Sequence, residues 1–285
     1  MANDENVLKP VVVTGASRGI GRTIALDLSD HGFSVFAGVR KHDDAEALIE
    51  TSKGRVSPLI LDVTDSTGVA AAAKEVADAT GNLGIAGVVN NAGVAVFGPV
   101  EQASMSSIDH QFGVNVLGVL TVTQQFLPQL RSGKGRIVNV SSVNGRLSIP
   151  FSGVYSATKF ALEALSDALR FELKPWGITV SVVQPGVIST DIRRGALADW
   201  VKSQDELSED DRLLYEESLQ KLSTILEHIE ATAAGHDHVS AAVLDALTAE
   251  TPQTRYEAGP DWEQWGPMIA LSDEERDQAF LEMFR

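Results

Sequence analysis

The sequence contains no cysteine, which excludes disulfide bonds, thiolate metal sites and a cysteine nucleophile. Basic residues are also scarce, since 23 Lys and Arg stand against 39 Asp and Glu, for a formal net charge of −16. Nucleic-acid phosphates select cationic surfaces, so we expect no nucleic-acid partner. The lack of cysteine agrees with a cytoplasmic location.

Long hydrophobic runs are absent as well. The sequence has no run of about 18 apolar residues, the length that spans a bilayer, and its start, MANDENVLKP, lacks the features of an export signal. We therefore expect no membrane span. Among the six histidines, His236 and His238 are two positions apart and would lie on different faces of a helix. We predict no metal site and place both histidines at the surface.

The sequence does contain an alternation of short β-branched runs with amphipathic stretches. A chain of 285 residues can bury a full core, and we interpret 1–285 as a single α/β domain. Unalternating apolar runs predict strands buried on both faces of a parallel sheet. The predicted strands are 9–14, 33–39, 56–61, 85–89, 137–140, 178–183 and one near 255–256, and the predicted helices include 43–52, 107–130 and 239–247.

A glycine-rich loop, TGASRGIG at 14–21, lies between the first strand and the first helix. Gly15 permits a tight turn, Gly19 lets the backbone approach a pyrophosphate, and Gly21 lets the helix pack on the strand. The phosphates would then lie at the helix N-terminus. The predicted dinucleotide contacts of this loop are Gly15, Ser17, Arg18, Gly19, Ile20 and Gly21. A glycine-rich turn without a ligand is the alternative.

The end of the second strand bears on the choice of cofactor. A site for NAD would place an acidic residue there to bind the ribose 2′-hydroxyl. This chain instead has Val39 followed by Arg40 and Lys41, and Arg40 can clamp a 2′-phosphate while Arg18 closes the other side. We therefore predict NADP rather than NAD. The alternative is that Arg40 only decorates a loop.

Two further strand ends predict cofactor contacts. Asp62, followed by Val63, could accept a hydrogen bond from an adenine amino group or could cap the helix that begins near Asp65. The fourth strand closes on NNAG at 90–93, where small residues let the backbone approach a cofactor and an asparagine can tie strand ends together. The predicted contacts here are Asp62, Val63, Asn91, Ala92 and Gly93.

Tyr155 and Lys159 are four residues apart at the start of a long amphipathic helix, so both side chains project from one face. Lowering a phenol pKa from about 10 to near 7 takes about 4 kcal/mol. An ammonium at about 4 Å supplies roughly that much at an effective dielectric near 20. The pair could therefore exchange protons, and Ser142 at the end of the preceding strand could hold a carbonyl or alcohol oxygen. A solvated helix face is the alternative.

Three other segments complete the prediction. Asn115 interrupts the helix predicted over 107–130, and we interpret it as a functional kink rather than an exposed polar residue. The loop at 184–190 follows the sixth strand at the end of the sheet where such folds bind ligands. The tail at about 258–285, with a capping box from Ser272 to Glu275, is expected near the lid described next or near a neighbouring subunit.

The segment at about 191–235 begins a helix with a cap at Ser208 and Asp211. Its apolar residues, spaced three and four apart, are Tyr215, Leu219, Leu222, Leu226 and Ile229. This stripe predicts a helix packed on the body of the protein or a lid over the site. Coiled-coil pairing is a further alternative, for which the stripe is short.

These motifs, in this order, resemble the short-chain dehydrogenase/reductase family over about 11–190. The resemblance implies a Rossmann-type doubly wound sheet of seven mainly parallel strands and a catalytic tetrad of Asn115, Ser142, Tyr155 and Lys159. In that scheme Tyr155 is the general acid–base and Ser142 orients the reacting oxygen. Lys159 assists Tyr155 and binds the nicotinamide ribose, while Asn115 holds a water that links Lys159 to solvent.

The resemblance also implies the remaining contacts. The predicted nicotinamide-side residues are Pro185, Gly186, Ile188 and Thr190, and the predicted substrate-binding residues are Ser142, Asn144, Tyr155 and Val187. Family members are usually dimers or tetramers that associate through the long helices near Asn115 and Lys159. Within the family, the sequence looks like the branch of retinol, hydroxysteroid and 3-hydroxybutyrate dehydrogenases.

The expected function is that of an NADP-dependent oxidoreductase that interconverts an alcohol and its carbonyl compound. Apolar residues point to a lipophilic substrate such as a retinoid, a steroid or a long-chain ketone; they are Val94, Val96, Phe97, Leu147 and Val187. One alternative is a 3-oxoacyl thioester reductase, for which Arg193 and Arg194 would be the basic docking residues. The other is a non-catalytic protein that senses NADP.

Overall fold

The computed structural model describes residues 9–190, 195, 200, 202 and 207–283. Its centre is one seven-stranded sheet with the strand order β3-β2-β1-β4-β5-β6-β7, and each neighbouring pair is parallel. The strands are β1 (Lys9–Val13), β2 (Phe33–Val39), β3 (Val56–Ile60), β4 (Gly87–Asn90), β5 (Arg136–Val140), β6 (Thr179–Pro185) and β7 (Arg255–Ala258). The predicted doubly wound sheet is confirmed.

Helices connect the strands and cover both faces of the sheet. They are α1 (Gly19–Asp30), α2 (His42–Ser52), α3 (Ser66–Thr80), α4 (Met105–Phe112), α5 (Val119–Gly133), α6 (Gly153–Glu172), α7 (Glu209–Leu213), α8 (Glu216–Thr232), α9 (Asp237–Thr248), α10 (Trp262–Ile269) and α11 (Asp273–Met283). Short 3₁₀ turns lie at Gly81–Leu83, Val100–Gln102, Val143–Gly145 and Lys174–Trp176.

Alternation along the strands divides the core into two layers. Val11 and Val13 face a cluster that includes residues of α1, α2 and α9, whereas Val12 faces a cluster built with α3 and α5. Successive strand side chains point to opposite faces, and here both faces are covered. This explains why the strands are continuous apolar runs in the sequence.

The order of the strands positions the site. The chain passes outward from β1 to β2 and β3, then returns to β4 on the other side of β1. Val13 and Val89 are paired near the carboxyl ends of β1 and β4, so the loops that follow these strands diverge on either side of a crevice. In open α/β sheets ligands bind at this reversal.

The helix predicted over 107–130 is not continuous. α4 ends at Phe112, a π-helical segment occupies Gly113–Gly118, and α5 follows. The interruption predicted at Asn115 is confirmed, because Asn115 lies inside the π-helical segment. π-Helical turns are rare and occur often at functional sites.

The 191–235 segment contains α7 and α8 in its described part. The Ser208 cap is confirmed, since its Oγ accepts the Asp211 N–H at 3.1 Å. Leu219 and Leu222 of the predicted stripe are buried, while the side chains of Leu226 and Ile229, like Arg193 and Arg194, lie outside the described part. In the ranges that the structure describes, no helix is both long and apolar enough to cross a membrane.

The C-terminal tail packs on the loop that follows β5. Trp262 and Trp265 of α10 and Phe280 of α11 form an apolar cluster with Val143 and Leu147, which follow β5. The predicted capping box is confirmed, because Ser272 N donates to Glu275 Oε2 at 2.9 Å and Glu275 N donates to Ser272 Oγ at 3.3 Å. The tail therefore forms part of the structure at the carboxyl end of β5.

Candidate active site

A cavity of about 430 Å³ opens at the carboxyl ends of the strands. It extends from the glycine loop after β1, past the ends of β2 to β5, to the loop after β6. Every predicted catalytic, cofactor-binding and substrate-binding residue except Asn115 lines it. The expectation that Val96 and Leu147 contact an apolar substrate is wrong, because neither lines the cavity and Leu147 is buried against the tail. The predicted residues on the walls are Gly15, Ser17, Arg18, Gly19, Ile20, Gly21, Arg40, Asp62, Val63, Asn91, Ala92, Gly93, Ser142, Asn144, Tyr155, Lys159, Pro185, Gly186, Val187, Ile188 and Thr190.

The glycine loop has the backbone geometry that its sequence predicts. Gly15 has φ 66° and Gly19 has φ 55°, values that other residues rarely adopt. A Cβ on Gly21 would lie 2.2 Å from the carbonyl oxygen of Gly15, so only glycine fits where α1 meets the strand. α1 has no side-chain cap, which leaves its first-turn N–H groups for an anion. The loop fits a pyrophosphate.

Thr14 and Asn91 fix this loop against the end of β4. Thr14 Oγ1 accepts the N–H groups of Asn91 and Ala92, both at 3.0 Å. Asn91 Nδ2 donates to the carbonyl oxygens of Thr14 at 2.9 Å and Gly15 at 3.2 Å. The expectation that an asparagine ties strand ends together is confirmed. The part of Thr14 was not predicted, although its position just before the glycine loop was a signal for it.

Two arginines and one carboxylate surround the far end of the cavity. Arg18 and Arg40 are exposed, and both line the cavity. Partial burial acts to raise the pKa of the Asp62 carboxyl, but hydrogen bonds from Thr64 and the charge of Arg40 lower it below its usual value. Asp62 is therefore an ionised acceptor beside Arg40.

The alternative role of Asp62 as a helix cap is wrong. The N-cap of α3 is Asp65, whose Oδ1 accepts the Thr67 N–H at 3.0 Å. Asp62 Oδ1 instead accepts the backbone N–H of Thr64 at 2.9 Å and its hydroxyl at 2.7 Å. These bonds hold Asp62 in a turn that faces the cavity.

Lys159 is a buried ammonium at the centre of the site. The residue is 5% exposed, and its Nζ donates to the carbonyl oxygen of Val140 at 2.9 Å. Burial lowers the pKa of Lys159 to about 8, and the carboxylate of Glu163 acts in the opposite direction. The ammonium form is thus retained at neutral pH by a narrow margin.

The ring of Tyr155 lies near both Lys159 and Phe97. Lys159 Nζ is 5.6 Å from the ring centroid of Tyr155, and the ring of Phe97 meets it edge-on at 6.4 Å between centroids. Tyr155 is part-buried and lines the cavity. The two side chains predicted to share one helix face therefore do so.

Ser142 is held by a chain of small polar residues. Its Oγ accepts the Asn144 N–H at 3.1 Å. Asn144 Nδ2 donates to Ser152 Oγ at 2.9 Å and to Ser156 Oγ at 3.1 Å. Because the amide of Asn144 is engaged with these hydroxyls, the loop after β5 is fixed to the start of α6. Ser142 and Tyr155 line the same cavity.

Asn115 lies behind the cavity wall. Its Oδ1 accepts the Val94 N–H at 2.9 Å, and its Nδ2 donates to Val94 O at 2.8 Å and Thr158 Oγ1 at 3.0 Å. A Cβ built on Gly93 would lie 3.5 Å from Asn115 Oδ1 and 3.9 Å from Lys159 Nζ. Asn115 therefore fixes the strand end next to the Lys159 ammonium, and its predicted part in holding a water stays a prediction.

The loop after β6 is braced by residues that were not predicted for the site. Asp261 Oδ2 accepts the Val187 N–H at 2.7 Å, and Trp262 Nε1 donates to the carbonyl oxygen of Gln184 at 2.8 Å. His236, predicted at the surface, is half-buried, and its Nε2 contacts the carbonyl oxygen of Ser189 at 2.6 Å. His238 is exposed as expected. These contacts, remote in sequence, had no local pattern.

The end of the cavity opposite Arg40 is apolar. Besides Val94, Phe97 and Val187, its walls include Ile149, Phe151, Leu222, Ile225, Trp265 and Met283. Leu222 and Ile225 belong to α8, and Trp265 and Met283 belong to the tail. Throughout the described residues, the cationic side chains on the cavity wall are Arg18, Arg40 and Lys159, and both arginines lie at the other end.

Metal binding has no support in this geometry. Across 9–190 and 207–283, with the three single residues between them, no group of three His, Cys, Asp or Glu side chains is arranged to hold an ion.

Comparison with known proteins gives consistent relatives. The family profile described as short chain dehydrogenase matches residues 9–200. Retinol dehydrogenase 16 of Mus musculus is 36% identical over 261 residues, covering 89% of this chain and 81% of the relative. Mitochondrial D-beta-hydroxybutyrate dehydrogenase of Rattus norvegicus is 38% identical over 262 residues, covering 87% of this chain and 76% of the relative.

Solved structures agree with the fold. A short chain dehydrogenase from Burkholderia cenocepacia in complex with NADP has a TM-score of 0.73 and 26% identity, with 96% of this chain and 97% of that chain covered. A short chain dehydrogenase/reductase from Burkholderia phymatum in complex with NAD has a TM-score of 0.76 and 25% identity, with 95% of each chain covered. Similar folds thus carry either nucleotide.

Proposed function

The chain belongs to the short-chain dehydrogenase family of oxidoreductases, and on that premise we propose that it is an NADP-dependent enzyme that interconverts a lipophilic alcohol and its carbonyl compound. The observation that carries this proposal is the shared cavity. The glycine loop at one end and Ser142, Tyr155 and Lys159 further along line the same space, so a bound dinucleotide could reach the proton-transferring group.

The proposed steps use this chain's own side chains. When bound, the nicotinamide supplies or accepts the hydride. During carbonyl reduction, Ser142 Oγ donates a hydrogen bond to the carbonyl oxygen and the Tyr155 hydroxyl gives it a proton. The Lys159 ammonium then stabilises the resulting phenolate. In oxidation Tyr155 takes the proton from the alcohol.

Binding of the dinucleotide is assigned to the remaining predicted residues. The loop from Gly15 to Gly21 would hold the pyrophosphate, and Asp62 the adenine. Backbone groups from Asn91 to Gly93 would line its path toward the nicotinamide. The loop from Pro185 to Thr190, braced by Asp261, would hold the carboxamide.

NADP is proposed over NAD because of the two arginines. β2 ends without an acidic residue, and Arg18 and Arg40 line the same end of the cavity, where a guanidinium can bind a 2′-phosphate bidentately. The carboxylate of Asp62 would repel that phosphate, but the neighbouring positive charge of Arg40 offsets the charge of the Asp62 carboxylate. The arrangement therefore supports the phosphorylated nucleotide.

A lipophilic substrate is proposed from the apolar end of the cavity. A carboxylate-bearing substrate, such as the one named for the hydroxybutyrate relative, would need a cation there. In the part of the chain that the structure describes, the cavity-lining cation nearest that end is Lys159, whose ammonium is engaged with Val140 O and is assigned to Tyr155. Walls such as Phe151, Ile225 and Trp265 suit a long or polycyclic hydrocarbon better.

The alternatives have less support. A 3-oxoacyl thioester on an acidic carrier protein needs a basic docking surface, and this chain has a net charge of −16. A protein that only senses NADP has no need of Tyr155 and Lys159 held together in a cavity beside Ser142.

We also propose that the chain is a single domain and that it forms a homodimer or homotetramer. Leu117 and Phe160 are exposed apolar residues near the expected subunit contact.

A substrate screen with both nucleotides tests the proposal. Absorbance of the reduced nicotinamide is followed with NADPH and with NADH, using one small ketone, one long aliphatic ketone and one retinoid aldehyde. We expect turnover with NADPH and a preference for the bulky compounds. Turnover of the small ketone alone would contradict the substrate class, and nucleotide binding without turnover of any carbonyl compound would favour a sensor.

A further inference from the structure

Glu163 is a buried carboxylate that the proposed reaction steps do not use. It follows Lys159 by one turn of α6 and is 5% exposed. Its Oε1 accepts Gln184 Nε2 at 2.8 Å, and its Oε2 accepts Arg255 Nε at 2.9 Å. A buried charge requires such partners, and the two bonds fix the carboxylate in one position.

The partners of Glu163 anchor it to the last two strands of the sheet. Gln184 lies on β6 and is buried, and Arg255 begins β7. Arg255 Nη2 also donates to both carboxylate oxygens of Asp167, at 2.8 and 3.0 Å. One arginine is therefore shared between two carboxylates of α6, one buried under the site and one at the surface.

One charged group near Lys159 acts on its pKa. In the described part of the chain, the titratable or charged groups on α6 and on the elements packed against it are Tyr155, Glu163, Asp167, Arg170 and Glu172 of α6, Asp109 and His110 of α4, Arg146, Lys174, and Arg255 of β7, which is paired with Glu163. Of these, Glu163 is the one whose charge raises the pKa of Lys159. The hydrogen-bond acceptor of the Lys159 ammonium, the carbonyl oxygen of Val140 at the end of β5, carries no charge.

We propose that Glu163 is a positioning residue: held by Gln184 and Arg255, its carboxylate keeps the Lys159 side chain charged and in place beside Tyr155. The inference rests on the proposed function, because it concerns the proton-transfer step assigned to Tyr155. Without the carboxylate, the buried ammonium of Lys159 loses its proton at a lower pH, and the phenolate form of Tyr155 then lacks its cation.

The pH profile of turnover tests this role with matched variants. In Glu163→Gln the fall of turnover on the alkaline side moves to lower pH by about 1 unit. Asp167→Asn also removes a carboxylate from Arg255 but keeps the wild-type profile. Glu163→Asp keeps the charge and retains most of the wild-type profile. An unchanged profile in Glu163→Gln, or equal shifts in Glu163→Gln and Asp167→Asn, would overturn the proposal.

A second readout does not depend on activity. The free energy of unfolding is measured in the unliganded protein from pH 6 to 10.5. Because the pKa of Lys159 falls further in Glu163→Gln, the rise of stability with pH begins about 1 unit lower than in the wild type. If the wild type turns over no carbonyl compound, the proposed function fails while this titration still decides on Glu163. Identical titrations in both proteins would overturn the inference.

Discussion

The ammonium of Lys159 lies 5.6 Å from the ring centroid of Tyr155, and both residues line the cavity. The two residues are one helical turn apart, so α6 fixes their spacing. The carbonyl oxygen of Val140 fixes the direction of the ammonium. The geometry of this pair is therefore set by the fold, and the proposed proton transfer depends on it.

The burial of Lys159 predicts a pH-dependent stability. A drop of its pKa from 10.5 to about 8 corresponds to about 3 kcal/mol against the charged form. Between pH 8 and 10.5 the unfolded chain keeps the proton while the folded chain has lost it, so stability rises with pH in this window. The penalty is present in full below pH 8 and is lost by about pH 10.5.

Urea unfolding of the wild type and Lys159→Met, at pH values from 7 to 10.5, checks this prediction. The wild type should gain stability relative to the variant across the window. Lys74→Met, at an exposed lysine that pairs with Asp78, serves as control and should show a constant difference. A constant difference for Lys159→Met as well would show that Lys159 is not desolvated in the folded protein.

Arg40 predicts the choice of nucleotide. Arg40→Asp should raise the KM for NADPH by about ten- to a hundredfold, because a charge-assisted bidentate contact is lost. The KM for NADH should change much less. Lys41→Asp makes the same charge change at the next residue, which does not line the cavity, and should leave the ratio of the two KM values near the wild-type ratio. Equal losses for both nucleotides in Arg40→Asp would refute the clamp.

We expect Ile225 to contribute to selectivity for bulky substrates. It lies on α8 and lines the apolar end of the cavity. Ile225→Asn should raise the KM for a long aliphatic ketone by about tenfold while changing that for a small ketone little, because only the long chain reaches this wall. Leu214→Asn, at an exposed leucine outside the cavity, is the control. A variant that binds both ketones as the wild type does would place the substrate elsewhere.

Phe160 lies where we expect the contact between subunits. It is exposed on α6, next to Lys159, and Leu117 is exposed on the adjoining π-helical segment. Phe160→Glu should halve the mass measured by light scattering, since a charge replaces an apolar contact. Leu281→Glu, on α11, should keep the wild-type mass. A wild-type monomer would contradict the proposed oligomer.

The sheet could be predicted from the sequence because its strands are continuous β-branched runs. Parallel strands that are buried on both faces have this pattern, without the alternation of polar and apolar residues. The glycine loop was predictable for a similar reason: Gly15 and Gly21 are required by local backbone geometry. Tyr155 and Lys159 came from helical spacing. Each of these signals spans a few residues, which is why sequence alone carried them.

Other features depend on contacts between distant residues. Glu163 and Arg255 are separated by 92 positions, and Val187 and Asp261 by 74, so neither pair could be predicted from a local sequence pattern. The π-helical conformation of Gly113–Gly118 was not predicted, because its apolar residues have nearly the same spacing as in an α-helix. Asn115 was the sequence feature that indicated an interruption there. The packing of the tail on the Val143–Leu147 loop depends on tertiary structure alone.

Proton transfer by Tyr155 is the central claim, and turnover of Tyr155→Phe tests it most directly. Tyr256→Phe, which removes a buried hydroxyl that accepts the Gln253 N–H outside the cavity, is the matched control. With NADPH and a ketone that the wild type reduces, Tyr155→Phe should lose turnover by about 10²- to 10⁴-fold. It should still bind NADPH, as followed by nucleotide fluorescence, and Tyr256→Phe should stay active. Wild-type turnover in Tyr155→Phe would contradict the account.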